Sequence, residues 1–321
     1  MVLFSQFLFV VLWKCCIAEI NTEVAMIGDV VQSMQRPTAI VATVCWSPVK
    51  KNQFLRFRSE EDEGDDRISM VQFIDPETVP EINEHEQFLL FLVDMSCNNI
   101  SRYFERSSSK NHFRTPFRWL LVVDSTVEND ENNVPNVIAH IDALPDSEIV
   151  VATEMGNNTY ILSCIYRVGP STEWLAEPYG AWKPETRLQI DKAIHTQSLA
   201  LRRLNLARYP ISICYVLTNN DSYNHLTDRI NDHIDTITKG NFLTTNFLLD
   251  FMNATQSWSF TNSWGYKVNG SWSGMTGYLE RNQVEIGGSP MFFTSERAAI
   301  VDYVASPTPT RSKFVFQQPK L

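Results

Sequence analysis

Arg297 follows a run of large apolar residues in "SPMFFTSERAAIVDY", residues 289–303. A guanidinium carries a planar fork of donors that fits both oxygens of a carboxylate. Thr294 or Ser295 can cap a helix that begins there, and free amides at a helix amino terminus attract the same anions. An arginine at a helix start is ordinarily a solvent-facing charge, so the surrounding pattern has to decide. A second polar cluster is "HLTDRINDHIDT", with His225, Asp228, Asp232, His233 and Asp235. On a helix Asp228 and Asp232 share a face, as do His225 and Asp228, and a metal ion could use them; the preferred reading is a charged, solvated segment. A third cluster, "SEEDEGDDR" at 59–67, is rich in carboxylates that suit calcium. It lacks the ordered alternation of an EF-hand loop and is expected to be a solvated loop. No H-E-x-x-H, G-x-S-x-G or phosphate-cradling glycine loop occurs, so no catalytic residue, metal site or cofactor is expected.

The elements that must position Arg297 are alternating strands and helices. "TAIVATVC", "FLLFLV", "WLLVV", "EIVVAT" and "TYILSCIY" are short apolar runs separated by polar, helix-compatible stretches. Runs of this kind suit parallel strands buried on both faces. They place an α/β domain at 19–200. "AEPYGAWKPETR", residues 176–187, has two prolines and a glycine and reads as a connection between domains. Residues 201–321 form the second region. There "PISICYVLTNND" reads as a strand and a polar turn, followed by a helix with Leu243, Phe247 and Phe251 at spacing four and Leu248 and Met252 beside them. A strand running into a helix, with a crevice at the strand's carboxyl end, is where such folds take ligands.

Composition bounds the class. The 44% hydrophobic content supports real cores, and a net charge of -10 excludes nucleic acid as a partner and a polybasic membrane anchor. Val2 to Trp13 is apolar, and Cys16 and Ala18 are small and two apart, so residues 1–18 read as a secretory signal peptide. No later stretch is apolar enough to span a bilayer. Five N-x-Ser/Thr sequons follow, at Asn99, Asn157, Asn220, Asn253 and Asn269, the expected glycosylation sites. Cys45, Cys97, Cys164 and Cys214 fit no zinc spacing and allow three disulfide connectivities, with a buried free thiol the simple reading of Cys214.

The tail carries a more specific pattern. Trp272, Gly274, Met275, Gly277 and Leu279 are followed by Glu285, Gly287, Gly288 and Pro290, then by Arg297, Asp302 and Tyr303. In this order and spacing the segment from Trp264 to Leu321 resembles the ligand-binding region of ionotropic glutamate receptors. It looks closer still to the divergent ionotropic chemosensory receptors of insects and other arthropods. A weaker likeness runs back to about Leu204, and the amino-terminal domain matches loosely. "TPTRSKFVFQQPKL" is similar to the segment just before the family's first membrane helix.

The resemblance implies an α/β fold: an amino-terminal domain, then the first half of a two-lobed, periplasmic-binding-protein-like clamshell that closes on a small ligand. It implies that Arg297 binds the ligand's carboxylate, with Pro290 and Phe292 in the same site and Phe242 as candidate for the family's stacking aromatic. Glutamate-binding members carry a threonine where Phe292 stands. A ring there makes the pocket more apolar and less suited to an ammonium, which points away from glutamate toward small organic acids; the tail also looks most like the acid-sensing branch of the insect receptors. It further implies a cation-channel subunit working with a co-receptor in a hetero-oligomer at the cell membrane. The pore and the second half-lobe are expected to follow the aligned segment, making this an amino-terminal portion. The alternatives are a glutamate-gated channel subunit and a secreted clamshell solute-binding protein.

Overall fold

The computed structural model describes residues 21–34, 37–61, 70–78, 88–124 and 134–305. The signal-peptide reading of 1–18, most of the acidic run and the "TPTRSKFVFQQPKL" segment lie outside the described residues. The chain divides into two compact units, Met1–Arg203 and Leu204–Leu321.

The first unit opens with α1 (Thr22–Ser33), capped by the Asn21 side chain, which accepts from the amides of Glu23 and Val24. β1 (Ala39–Thr43), α2 (Pro48–Glu61), β2 (Met70–Ile74), β3 (Leu89–Asp94), α3 (Ile100–Ser109), β4 (Arg118–Val123) and β5 (Glu148–Glu154) follow. Then come β6 (Tyr160–Tyr166), β7 (Leu175–Lys183), β8 (Arg187–Ile190) and the short helices α4 (Lys192–Thr196) and α5 (Leu199–Arg202). All eight strands form one sheet in the order β2-β1-β3-β4-β5-β6-β7-β8. The first five are mutually parallel.

The apolar runs work by simple alternation. Ile40, Ala42, Leu90, Leu92, Leu120, Val122, Val150 and Ala152 face α1 and the Phe54 side of α2. Val41, Leu89, Phe91, Val93, Trp119, Leu121 and Val151 face α3, where Tyr103 and Phe104 cover them. A strand with both faces covered needs an apolar residue at every position, which is why these runs are continuous. Trp119 centres the second core, stacked on Phe91 at 4.3 Å and Phe113 at 4.4 Å, with its Nε1 donating to His112 O at 2.8 Å. Burial, and secondarily Lys110, lowers the His112 pKa from 6.5 to about 4, so the ring sits neutral against Phe91.

Two expectations are corrected here. The "TYILSCIY" strand, β6, is antiparallel to β5. Gly156, Asn157 and Asn158 all take positive φ, and the Thr159 amide donates to Gly156 O at 3.0 Å. So tight a turn leaves room for a hairpin and none for a parallel crossover. Residues 176–187 are not an interdomain connection but β7 and the turn into β8. Pro178 sits at an irregularity in the β6–β7 register, and Gly180 is where β8 comes so close that a Cβ would lie 2.3 Å from Gln189 O. The proline and glycine mark a bulge and a close approach rather than a linker.

Of the four cysteines, Cys45 and Cys97 form a disulfide, and Cys164 and Cys214 are buried and free. Burial pushes the Cys164 thiol up to about 12. The unit ends on a clasp. Arg203 donates to Ser147 O (2.6 Å), Pro145 O (3.1 Å) and Glu177 Oε1 (2.9 Å), and its guanidinium lies 4.2 Å from the centre of the Tyr166 ring.

The second unit has β9 (Pro210–Val216), α6 (Thr236–Phe251), β10 (Thr255–Thr261), β11 (Lys267–Val268) and β12 (Ser271–Trp272). α7 (Gly274–Glu280), β13 (Ile286–Gly287) and the single turn α8 (Ser295–Ala298) complete it. β10, β9 and β13 make a three-stranded parallel sheet. β11 and β12 form a two-residue hairpin over Asn269 and Gly270, both at positive φ, the turn that Asn-Gly favours. Both units are thus α/β. The sides of α6 differ in exposure. The face of Leu243, Phe247, Leu248 and Phe251 is exposed, while Thr238, Lys239, Phe242 and Leu249 are buried. Both sides of this helix are apolar, so periodicity alone could not choose the inner one.

Candidate functional site

In the second unit, the carboxyl end of β9 is where the sequence placed a crevice. Three buried groups pin it. Ser289 Oγ accepts from the Val216 amide at 2.8 Å and hydrogen-bonds Thr238 Oγ1 at 2.9 Å, and Thr238 Oγ1 donates to Val216 O at 2.9 Å. The end of β9, the first turn of α6 and the loop leading to Pro290 are therefore tied by two hydroxyls at a single point. Sequence reasoning missed both. The available signal was a serine directly after two glycines and before a proline. Gly288 has to be glycine, because a Cβ there would meet the Tyr215 ring at 2.2 Å. On the other side of α6's start, the Asp235 carboxylate accepts from the amides of Thr218 and Asn219 and from Thr218 Oγ1. Burial pushes the Asp235 carboxyl up, but these donors outweigh it and hold its pKa below the ordinary aspartate value.

A second layer comes from β12 and α7. Met275 is 1% exposed and packs with Cys214, Val216 and Val284. Gly265 takes φ 111°, and a Cβ there would lie 2.3 Å from Ser273 O. Thr276 Oγ1 donates to Trp264 O at 2.6 Å, and Trp264 Nε1 donates to Pro290 O at 2.8 Å. Glu285 clamps β13 to β9, its Oε2 accepting from both the amide and the hydroxyl of Ser212. The residues of the tail pattern are thus mostly scaffold: glycines for close approach, Met275 for filling, Glu285 for register.

Arg297 sits on this scaffold, half-buried. Thr294 is the cap of α8, its Oγ1 accepting from the Arg297 amide at 3.3 Å. The helix is one turn long, so its dipole adds little to anion binding. The guanidinium donates to Gly265 O (3.0 Å) and Phe292 O (3.2 Å) and lies 5.8 Å from the Trp272 ring centre. Its Nε is buried with no partner. Among the described residues no carboxylate pairs with it. A cation held by neutral carbonyls and a ring keeps most of its charge for an incoming anion. Phe292 and Phe293 beside it are 83% and 72% exposed, and Tyr303 donates its hydroxyl to Phe292 O at 2.9 Å.

The structure brings Arg297, Pro290 and Phe292 together but removes Phe242. That residue is 2% exposed, packed 5.2 Å from each of the Tyr215 and Trp258 ring centres, and has no face to offer a ligand. It is a core residue because it lies on the inner side of α6. The cluster around His225 spreads out: His225 bonds Asp228 at 2.8 Å, while Asp235 is spent on Thr218 and Asn219. Among the described residues no three metal-type ligands gather. All five sequon asparagines are exposed.

The first unit has a different kind of crevice. The order β2-β1-β3-β4-β5 makes β1 and β3 the switch point, where doubly wound sheets admit ligands. Cys45 follows β1 and Cys97 follows β3, so the disulfide crosses that very place.

Comparison with known proteins adds one match. The model of a family described as Ionotropic receptor 75a N-terminal matches residues 71–213, from β2 into β9. No curated protein matches the chain. The matched stretch is less than half of the chain and does not overlap the Trp264–Leu321 pattern. It supports an ionotropic receptor's extracellular region, which is a receptor and channel class rather than an enzyme class. Among the described residues no helix is long and apolar enough to cross a membrane.

Proposed function

We propose that this chain is the extracellular ligand-binding part of an ionotropic chemosensory receptor subunit, with small organic acids as its ligand class. The secreted segment would begin after a signal peptide at 1–18, with an amino-terminal domain to about residue 200. Residues 201–321 would be the first half of a clamshell. The subunit would work with a co-receptor in a cation channel, whose pore opens when lobe closure pulls on the linkers.

The observation that carries the acid reading is Arg297. Its guanidinium is half-buried, donates to Gly265 O and Phe292 O with the Trp272 ring near it, and stands beside an exposed phenyl ring. A carboxylate can take the two-pronged bond while the ligand's apolar body lies on Phe292. An amino acid would bring an ammonium into the same apolar surroundings at a desolvation cost.

The experiment is a dose–response series on a full receptor containing this chain, with its co-receptor, across acids, matched alcohols and amines. Arg297→Ala should remove a charge-assisted pair, about 2–5 kcal/mol when desolvated, or roughly a thirtyfold or greater loss of sensitivity to acids. Arg297→Lys should rescue poorly, because an ammonium cannot fork onto both oxygens. Phe292→Thr should leave plain acids nearly unchanged and gain some response to amino acids. Surface-expressed Arg297→Ala that answers acids as the parent does would end the proposal.

A further inference from the structure

The outer face of α6 is apolar and bare. Ile237, Leu243, Phe247, Leu248 and Phe251 are 57, 40, 72, 48 and 66% exposed, with Gly240 and Thr244 between them. Phe247 and Phe251 stand one helical turn apart, about 5–6 Å between Cβ atoms. A contiguous apolar surface of this kind marks a place that something covers.

A sequon stands at one end of the face. The sequon Asn253-Ala254-Thr255 begins two residues after Phe251. Asn253 takes φ 48° and ends α6: its amide donates to Asp250 O (3.1 Å), the Ala254 amide to Leu249 O (2.8 Å), and its own carbonyl accepts from the Arg208 amide (2.7 Å). Its side chain is exposed but already oriented, since Nδ2 donates to Asn205 Oδ1 at 2.7 Å. Nδ2 has two hydrogens. Replacing one by a sugar leaves the other for Asn205, which then holds the linkage amide in place. A hexosamine has an apolar face of C–H bonds and an edge of hydroxyl and acetamide groups. The exposed Phe251 ring, two residues before the asparagine, can meet that apolar face. None of the other four sequons has an aromatic residue two places earlier; they have Cys97, Met155, Thr218 and Lys267.

We propose that Asn253 carries an N-linked oligosaccharide whose first N-acetylglucosamine lies over Phe251, covering the carboxyl-terminal end of the α6 face. The inference rests on the secretory reading above. In the transfer, Asn253 Nδ2 attacks C1 of the terminal sugar of a lipid-pyrophosphate oligosaccharide. The C1–N bond forms as the C1–O bond breaks, the amide gives up one proton, and the lipid pyrophosphate leaves with the bonding pair.

The test is to secrete the full chain from cultured insect cells and map all five asparagines by glycosidase digestion in heavy-oxygen water and mass spectrometry. Asn253 should be occupied. Asn253→Gln, or native deglycosylation where that variant folds poorly, should lower Tm by about 4 °C, the scale of one aromatic contact. It should also raise binding of an apolar fluorescent dye, which Asn269→Gln should not. In a Phe251→Ser background the loss of the glycan should no longer change Tm. An unmodified Asn253 among otherwise occupied sequons overturns this inference and leaves the secretory reading standing; no sugar anywhere overturns both. An equal Tm loss with and without Phe251 shows a glycan that ignores the ring, and overturns it. So does a glycosylated chain that dimerises and that Phe247→Glu returns to monomer, since a second copy is then the cover.

Discussion

The two units use the same grammar of strands and helices to opposite ends. In the first, the parallel strands are sealed on both sides: Ile40 and Leu92 face one helical layer, Val41 and Phe91 the other, and none is more than 4% exposed. The crevice at its switch point is stapled by Cys45–Cys97. In the second, three strands carry Trp258 at 45% exposure, the helix beside them shows phenylalanines to solvent, and Arg297 keeps its charge unmatched by any described carboxylate. The difference teaches where to look for function. The parallel strands of the first unit spend their apolar side chains on their own two cores. Under the proposed function, the exposed rings of the second unit and the Arg297 guanidinium are the groups that would meet a ligand or partner.

That contrast breaks most sharply at Trp119. Trp119→Ala removes stacking on two rings and a bond to His112 O, and should cost about 5 kcal/mol, the top of the range for such truncations, in denaturant unfolding of the first unit. A loss below 1 kcal/mol would mean that the sealed core is not sealed. Next is Cys45→Ser with Cys97→Ser. The cysteines are 52 residues apart, and opening a loop of that length corresponds to about 4 kcal/mol in the chain-entropy model. Hydrogen exchange should show the protection of β1 and β3 falling first.

A smaller effect is one of pH. His112 has a folded pKa below its unfolded value, so the unfolded chain binds more protons as pH falls. Its contribution is fully present above pH 6.5 and is lost progressively toward about 4. His112→Phe, which keeps a ring against Phe91, should flatten the stability curve in that window. An unchanged slope would place the titration elsewhere. The smallest effect sits in the second unit: Ile237→Thr, at a site 57% exposed, should stay within about 0.5 kcal/mol of the parent. A large loss there would show that the outer face of α6 is packed and would erase the contrast.

How much of this was legible follows from the same physics. Continuous runs such as "FLLFLV" suit strands covered twice, so β1, β3, β4, β5 and β6 were readable as strands, though β2 and β8 were not and the antiparallel sense of β6 was not. β7 was not, because Pro178 and Gly180 are the residues of a linker as well as those of a bulge and a close approach; the distinction lies in β8, which sequence does not place beside them. α6 was readable as a helix but not in its rotation, since Phe242 and Phe247 are equally apolar and only β9 determines which goes inside. Arg297 was readable by its spacing from Pro290. Its acceptors, Gly265 O and Phe292 O, are backbone atoms, and no residue type announces a carbonyl. The Ser289–Thr238 tie escaped notice for a related reason: a buried hydroxyl pair looks, in one dimension, like any two polar residues.

The Arg203 clasp has a mechanical meaning. Leu204 begins the second unit, so tension along the chain enters the first unit through Arg203. The guanidinium is riveted to Ser147 O, Pro145 O and Glu177, and so hands that tension to the strands of the sheet behind β5 and β7. The short helices just before it are bypassed. A joint of this kind has little travel: it stays stiff under small pulls and gives way in one step when its bonds fail together. Pulled from Leu204, the first unit would behave as a fixed mount, and elastic extension would have to come from the chain beyond it.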